Sequence, residues 1–156
     1  AEHFGLSAQV DFHVGTLSKA MGAHGGFVAT SAARREWLLN TARTFIFTTA
    51  LPMPMVAAAR AGLRAATPER IGRLWHNIKH IETVLQRPVG SPIVPIHIGE
   101  ESKTLSKAAR VFDQGFHVGA IRPPAVPVGT SRLRITLSAL HDVDTIGQLV
   151  EAISMP

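Results

Sequence analysis

Lys19 stands in a glycine-rich turn that also carries two hydroxyl side chains. Thr16 and Ser18 precede it closely, and glycines follow at 22, 25 and 26. A nucleophilic lysine has to be neutral for part of the time, and burial beneath packed backbone favours the neutral amine. Glycines let the main chain approach a flat cofactor, and either hydroxyl can bind a phosphate oxygen. A surface lysine in a glycine-rich hairpin is the alternative that these residues leave open.

Two arginines form a second candidate site. Residues 133–137 alternate between apolar and polar types, which predicts a half-buried strand with Arg134 on its polar face. The planar guanidinium of arginine can pair with a carboxylate through two hydrogen bonds. Arg132 lies on the same face, so spacing alone does not choose between the two. An outward-facing arginine without a ligand remains the alternative.

Other classes of site have weaker support. His76 and His80 have the i, i+4 spacing of a helical metal pair, but no third ligand is evident and cysteine is absent, so no metal is expected. The net charge is +5, yet the basic residues are scattered and no aromatic residues accompany them. Nucleic-acid binding is therefore not expected. No apolar run approaches the roughly 20 residues of a membrane-spanning helix.

The elements around Lys19 are predicted as a strand, a glycine turn and a second strand. Residues 10–14 and 27–29 supply the two strands, which places Lys19 at the bend of a hairpin. Ser31 is placed to cap a helix. An alanine-rich helix is predicted over 55–66, and another begins at Pro68 and continues to Gln86.

The pattern changes after residues 88–92 to alternating strands and helices. Strands are predicted at 93–98, 116–121 and 133–137, with helices over 102–114 and from Asp142 or Asp144 onward. The first of these helices is expected to bury one apolar face, made of Leu105, Ala108, Ala109 and Phe112. The order predicts an α/β arrangement in which helices cover one face of a small sheet.

Three segments in order along the chain resemble motifs of the α-oxoamine synthase family, whose members use pyridoxal 5′-phosphate (PLP). The first is VGTLSKA at 14–20 with the glycines that follow, and the second is FIFTTALP at 45–52. The third is RPPAVP at 122–127, continued by GT and RLRITLSA up to residue 139 and by His141. The resemblance covers nearly the whole chain.

The resemblance implies a fold and two domains. It predicts the C-terminal part of a PLP-dependent transferase of fold type I, which is aspartate-aminotransferase-like. Residues 1–87 would be the end of the large PLP-binding domain, and residues 88–156 would be the small C-terminal α/β domain. The family's pyridine-pairing aspartate and ring-stacking histidine would precede Ala1. We therefore expect the 156 residues to be a C-terminal fragment that is inactive by itself.

The resemblance also assigns roles to residues near the cofactor. Lys19 would hold PLP as a Schiff base and remove the Cα proton of the substrate. Thr16 matches the threonine that binds the cofactor phosphate, and Ser18 is a further cofactor-binding candidate. Thr48 and Thr49 match residues that reach the phosphate of the neighbouring subunit, which implies a homodimer with a shared active site.

Two further positions are implied to bind the substrate. Arg134 matches the arginine that holds the amino-acid carboxylate. Ala125 stands where the family commonly has a substrate-binding threonine, so that contact lacks its hydroxyl.

The reaction implied is the decarboxylating condensation of an amino acid with an acyl-CoA thioester. The motifs most resemble members that join L-alanine to pimeloyl-CoA in biotin biosynthesis. Relatives like glycine C-acetyltransferase or 5-aminolevulinate synthase are the alternative, as is a catalytically incomplete dimerising fragment. A cytoplasmic location is expected, with a peroxisomal one as the alternative.

Overall fold

The computed structural model describes residues 1–155, which form two compact units. The first unit comprises residues 1–66, and the second begins at Thr67. The division falls one helix earlier than the boundary expected after Arg87. The assignment of the two parts to a large and a small domain stays a prediction.

The first unit is built on a hairpin. Strands β1 (His13–Thr16) and β2 (Gly26–Ala29) pair antiparallel, with His13 opposite Ala29 and Thr16 opposite Gly26. Three helices follow: α1 (Ala32–Thr41), α2 (Arg43–Ile46) and α3 (Met53–Ala65). The apolar residues 45–47, which open the FIFTTALP segment, thus begin inside a short helix.

The first strand begins three residues later than the expected start at Val10. Asp11 explains the difference, because its side chain and backbone both bind residues beyond the end of β2. Its carboxylate pairs with Arg34 at 2.7 Å, and its carbonyl oxygen accepts the Thr30 hydroxyl at 2.7 Å. The ladder therefore ends at the His13–Ala29 pair.

The second unit is a three-stranded sheet with three helices. Its elements are α4 (Pro68–Leu85), β3 (Ile93–Gly99), α5 (Glu101–Asp113), β4 (Gly119–Ile121), β5 (Ser131–Thr136) and α6 (Val143–Ser154). The strand order is β3-β5-β4, and both pairs are antiparallel.

The core of the second unit lies on one face of this sheet. Ser131, Leu133 and Ile135 of β5 are buried, whereas the residues between them are more exposed. Helices contribute the facing side chains, including Ile78, Ile81, Val111, Ile146 and Ile153. The prediction that helices cover one face of the sheet is confirmed.

Side-chain caps explain where several helices begin. The Ser31 hydroxyl accepts the Arg34 N–H, as predicted, and the Thr67 hydroxyl accepts the N–H of Arg70. Asp142 caps α6, since its carboxylate accepts the Thr145 N–H at 2.7 Å. The choice between Asp142 and Asp144 as the start of the last helix is thereby settled.

The expected buried face of α5 is wrong. Leu105 is 43% exposed and Phe112 is 63% exposed, and Ala109 is exposed as well. Thr104 and Val111 are the residues that are fully buried. Thr104 can occupy the core because its hydroxyl donates to the Glu100 carbonyl oxygen at 2.7 Å, which satisfies its polar group.

No helix within residues 1–155 combines the length and the apolar character that crossing a membrane requires.

Candidate active site

Lys19 lies at the bend of the hairpin, where the backbone folds back on itself. The Leu17 N–H donates to the Gly25 carbonyl at 2.9 Å and extends the pairing of β1 with β2 by one bond. The Ala23 N–H donates to the Leu17 carbonyl and the Gly22 N–H to the Lys19 carbonyl, each at 2.9 Å. These bonds fix the main chain on both sides of the lysine.

Gly25 is required for this shape, and Gly15 packs closely against Phe27. A Cβ on Gly15 would lie 2.5 Å from the Phe27 ring, which is closer than any carbon contact allows. Gly25 has φ +100°, and a Cβ there would also meet the Leu51 side chain at 2.7 Å. Glycine is therefore needed for the backbone conformation at Gly25, whereas a Cβ at Gly15 would require the exposed Phe27 ring to move.

Thr16 and Ser18 present their hydroxyls together beside Lys19. The two oxygens lie 2.8 Å apart, and the Ser18 N–H donates to the Thr16 oxygen at 3.2 Å. Both side chains are exposed, as is that of Lys19. The turn thus offers two hydroxyls and an amine to a ligand.

The burial expected around Lys19 is not provided by the described part of the chain. Lys19 is exposed, because the two-stranded hairpin leaves its bend open. The position of Lys19 agrees with the sequence prediction, whereas its environment does not.

Arg132 and Arg134 differ in their partners. Arg132 is half-buried, and its guanidinium donates to the Thr130 carbonyl at 3.0 Å and to the Thr130 hydroxyl at 3.1 Å. Arg134 is exposed, and its side chain forms no hydrogen bond or ion pair among residues 1–155. Arg134 therefore has all of its side-chain donors available to a ligand, whereas Arg132 has some of them engaged with Thr130.

The remaining predicted positions lie in exposed loops. Thr48 and Thr49 are in the segment between α2 and α3, and neither side chain forms a hydrogen bond with the described residues. Ala125 is exposed in the loop after β4, where its N–H donates to the Arg122 carbonyl. Thr16, Ser18 and Lys19 are brought together, while Arg134 and Ala125 belong to the second unit.

Asn77 is a structurally important residue that the sequence analysis missed. It is 4% exposed on α4, and its side-chain amide donates to the carbonyls of Ser138 at 2.9 Å and His141 at 2.8 Å. The amide thereby fixes the loop that follows the strand of Arg134. In the sequence, a polar residue beside Ile78 and Ile81 on an apolar helix face could have predicted a buried side chain that needs hydrogen-bond partners.

The described residues contain no group of three or more side chains of histidine, aspartate or glutamate suited to a metal ion.

A family model for aminotransferase class I and II matches residues 1–153, and the chain belongs to that family. It is 42% identical, over 99% of its length, to an 8-amino-7-oxononanoate synthase of Arabidopsis thaliana, of which it covers 33%.

Solved structures are similar throughout the chain. SPT with a PLP internal aldimine is 32% identical with a TM-score of 0.87, over 97% of this chain and 42% of that one. An 8-amino-7-oxononanoate synthase of Francisella tularensis is 29% identical with a TM-score of 0.75, over 92% and 44%. The family resemblance and the transferase fold predicted from the three motifs are confirmed.

The chain spans only part of these proteins. It covers 33% of the Arabidopsis relative and 41% of an 8-amino-7-oxononanoate synthase from Lysinibacillus sphaericus.

Proposed function

We propose that the chain is the C-terminal part of a PLP-dependent acyltransferase with 8-amino-7-oxononanoate synthase activity. The whole enzyme would condense L-alanine with pimeloyl-CoA and release CoA and carbon dioxide, a step in biotin biosynthesis. The observation that carries the proposal is the ordered turn in which Lys19 directly follows the paired hydroxyls of Thr16 and Ser18. The names of the relatives support the choice of reaction.

The residues of the turn fit PLP by their chemistry. A phosphate accepts hydrogen bonds, and two exposed hydroxyls 2.8 Å apart supply donors for it. An exposed primary amine on the next residue can bond covalently to an aldehyde. Thr16 and Ser18 would therefore hold the phosphate, and Lys19 would hold the aldehyde carbon.

When bound, PLP supplies an electron sink for the carbanion that develops at the amino-acid Cα. Lys19 has two tasks: it holds the cofactor before the substrate arrives and then, as a free amine, removes the Cα proton. Arg134 binds the substrate carboxylate, since its guanidinium has no competing partner among residues 1–155. Ala125 contributes no hydroxyl to the substrate.

The assembly proposed is a homodimer with a shared active site. Thr48 and Thr49 support it, because their exposed hydroxyls have no partner among the described residues and are available to a neighbouring subunit's cofactor phosphate. The location proposed is the cytoplasm.

A chimera tests the function. Residues 1–156 would replace the matching part of the Arabidopsis relative, and CoA release would be measured with L-alanine and pimeloyl-CoA. We expect turnover to exceed that with glycine and acetyl-CoA, and we expect Lys19→Ala to abolish it, with Lys79→Ala as the matched control. Preference for the glycine pair would instead favour the glycine C-acetyltransferase reading.

A further inference from the structure

The strand pairing places Arg134 between two residues that carry no hydrogen-bonding side chain. Arg134 lies on the central strand β5, opposite Pro95 of β3 on one side and Gly119 of β4 on the other. Directly opposed residues share a face of an antiparallel sheet, with Cβ atoms about 5 Å apart. Neither neighbour can accept a hydrogen bond through a side chain, so the sheet itself does not neutralise the guanidinium.

The cross-strand rows of residues on either side of Arg134, on the same face of the sheet, do not neutralise its guanidinium either. One row pairs Ile93 with Thr136, and the other places Arg132 between His97 and Ile121. Within residues 1–155 neither Thr136 nor His97 hydrogen-bonds to Arg134.

The Arg134 side chain leans over Gly119. A Cβ built on Gly119 would lie 3.7 Å from Nε and 3.9 Å from Nη2 of Arg134. A methyl group at that distance makes ordinary van der Waals contact, so alanine fits without displacing the guanidinium. Gly119 has no positive φ, so a side chain there adds no backbone strain. A longer side chain at position 119 would begin beside the guanidinium, so an acceptor group on it could form hydrogen bonds with the Arg134 N–H groups.

We infer that the lack of a hydrogen-bond acceptor at position 119 keeps the Arg134 guanidinium available to an external carboxylate. The inference rests on the proposed carboxylate-binding role of Arg134. It predicts that an acceptor at position 119 competes with the substrate, whereas a methyl group does not. Gly119 thus acts through Arg134 and does not itself bind the substrate.

The test is the rate at which phenylglyoxal, an arginine reagent, modifies Arg134 in the 156-residue chain, followed by peptide mass mapping. Arg132 is the internal reference. In Gly119→Asp we expect the modification of Arg134 to slow by about two- to fivefold, as an exposed ion pair would produce, with Arg132 unchanged. High salt should restore the rate, because it screens such a pair. Gly119→Ala should leave the rate unchanged.

Equal rates of Arg134 modification in the parent chain and in Gly119→Asp would overturn the inference. A slower rate that high salt does not restore would overturn it too, as would an equal slowing at Arg132. Should Gly119→Asp fail to fold, Gly119→Ser carries the test with a smaller acceptor, and an unchanged Arg134 rate in it overturns the inference. Failure of Lys19 to bind PLP would overturn the proposed function without altering these rates, so the two failures are distinguishable.

Discussion

Arg132 and Arg134 lie on the same face of β5 but differ in their hydrogen-bond partners. Arg132 ties the end of the preceding loop to the sheet through two hydrogen bonds to Thr130. Arg134 spends none of its donors on the described part of the chain. A charged, exposed side chain without partners contributes little to folding, so Arg134 should add little to stability.

Stability measurements should show this difference. We expect Arg134→Ala to change the free energy of unfolding by less than about 0.5 kcal/mol. Arg132→Ala should cost about 1 kcal/mol, because it removes hydrogen bonds to a half-buried segment. The measurement is urea unfolding followed by fluorescence of Trp75 in a Trp37→Phe background, which leaves one tryptophan. A larger loss of unfolding free energy in Arg134→Ala than in Arg132→Ala would contradict the conclusion that Arg132 is the arginine that stabilises the fold.

Helix α4 connects the sheet to its loops at the scale of elements. Asn77 binds two carbonyls in the loop after β5. Glu82, one turn further along, accepts the N–H groups of Val89 and Gly90 at 2.8 Å each and pairs with Lys79 at 2.8 Å. Two polar side chains of one helix thus fix the segments that precede β3 and follow β5.

Removal of the Asn77 amide leaves two carbonyls without their donors. Asn77→Ala should cost about 1–3 kcal/mol of unfolding free energy, the range for unsatisfied buried groups. Asn40→Ala is the matched control, because the Asn40 amide also donates to a carbonyl at 2.7 Å but is exposed. The same urea experiment applies to Asn77. For Asn40→Ala, urea unfolding is followed by circular dichroism. Equal losses of unfolding free energy in Asn40→Ala and Asn77→Ala would contradict the structural role of Asn77.

Glu82 makes stability depend on pH. The hydrogen bond from Lys79, followed by those from the Val89 and Gly90 N–H groups, lowers the pKa of Glu82 from 4.5 to about 2. A lowered folded-state pKa stabilises the fold above pH 4.5, and this contribution is lost as the pH falls from 4.5 towards 2.

Glu82→Gln should therefore be less stable than the parent chain at pH 7, and the difference should narrow as the pH falls through that interval. Glu151→Gln, which alters an exposed carboxylate on α6, is the control. The measurement is urea unfolding at pH 7, 4 and 3. A gap between Glu82→Gln and the parent that stays constant over this range would refute the role of the carboxylate.

Local signals predicted most elements, and tertiary contacts decided the rest. The cap at Ser31 and the glycine turn around Lys19 are local features, so they could be predicted from the sequence, which left Asp142 and Asp144 as alternative starts of the last helix. The buried face of α5 could not, because Thr104 becomes a core residue only through its bond to Glu100. Likewise, the different hydrogen bonding of Arg132 and Arg134 could not be predicted from their spacing, because it depends on the position of Thr130 in the folded loop.

The two units differ in how much they bury at the scale of the whole molecule. Ala59 is the one buried hydrophobic residue described in the first unit, whereas the core cluster lies in the second. Large apolar side chains of the first unit are exposed, including Trp37 at 60% and Phe47 at 77%. A catalytic lysine needs a site that excludes water, and the exposed hairpin does not provide one.

The 156-residue chain by itself should therefore catalyse little or no alanine-dependent release of CoA from pimeloyl-CoA. The measurement is a thiol assay with PLP, L-alanine and pimeloyl-CoA, with an assay lacking L-alanine as the control. Robust turnover by this chain alone would show that its described residues suffice for catalysis.

Covalent trapping tests directly whether Lys19 is the lysine that binds PLP. The chain contains four lysines, at 19, 79, 103 and 107. Incubation with PLP, reduction with borohydride and peptide mass mapping would reveal which of them carries the cofactor. We predict preferential labelling of Lys19 at low PLP concentration, reduced in a Thr16→Ala Ser18→Ala double variant because the phosphate loses its hydroxyl donors. Equal labelling of all four lysines, or labelling of Lys19 that the double variant leaves unchanged, would contradict the account.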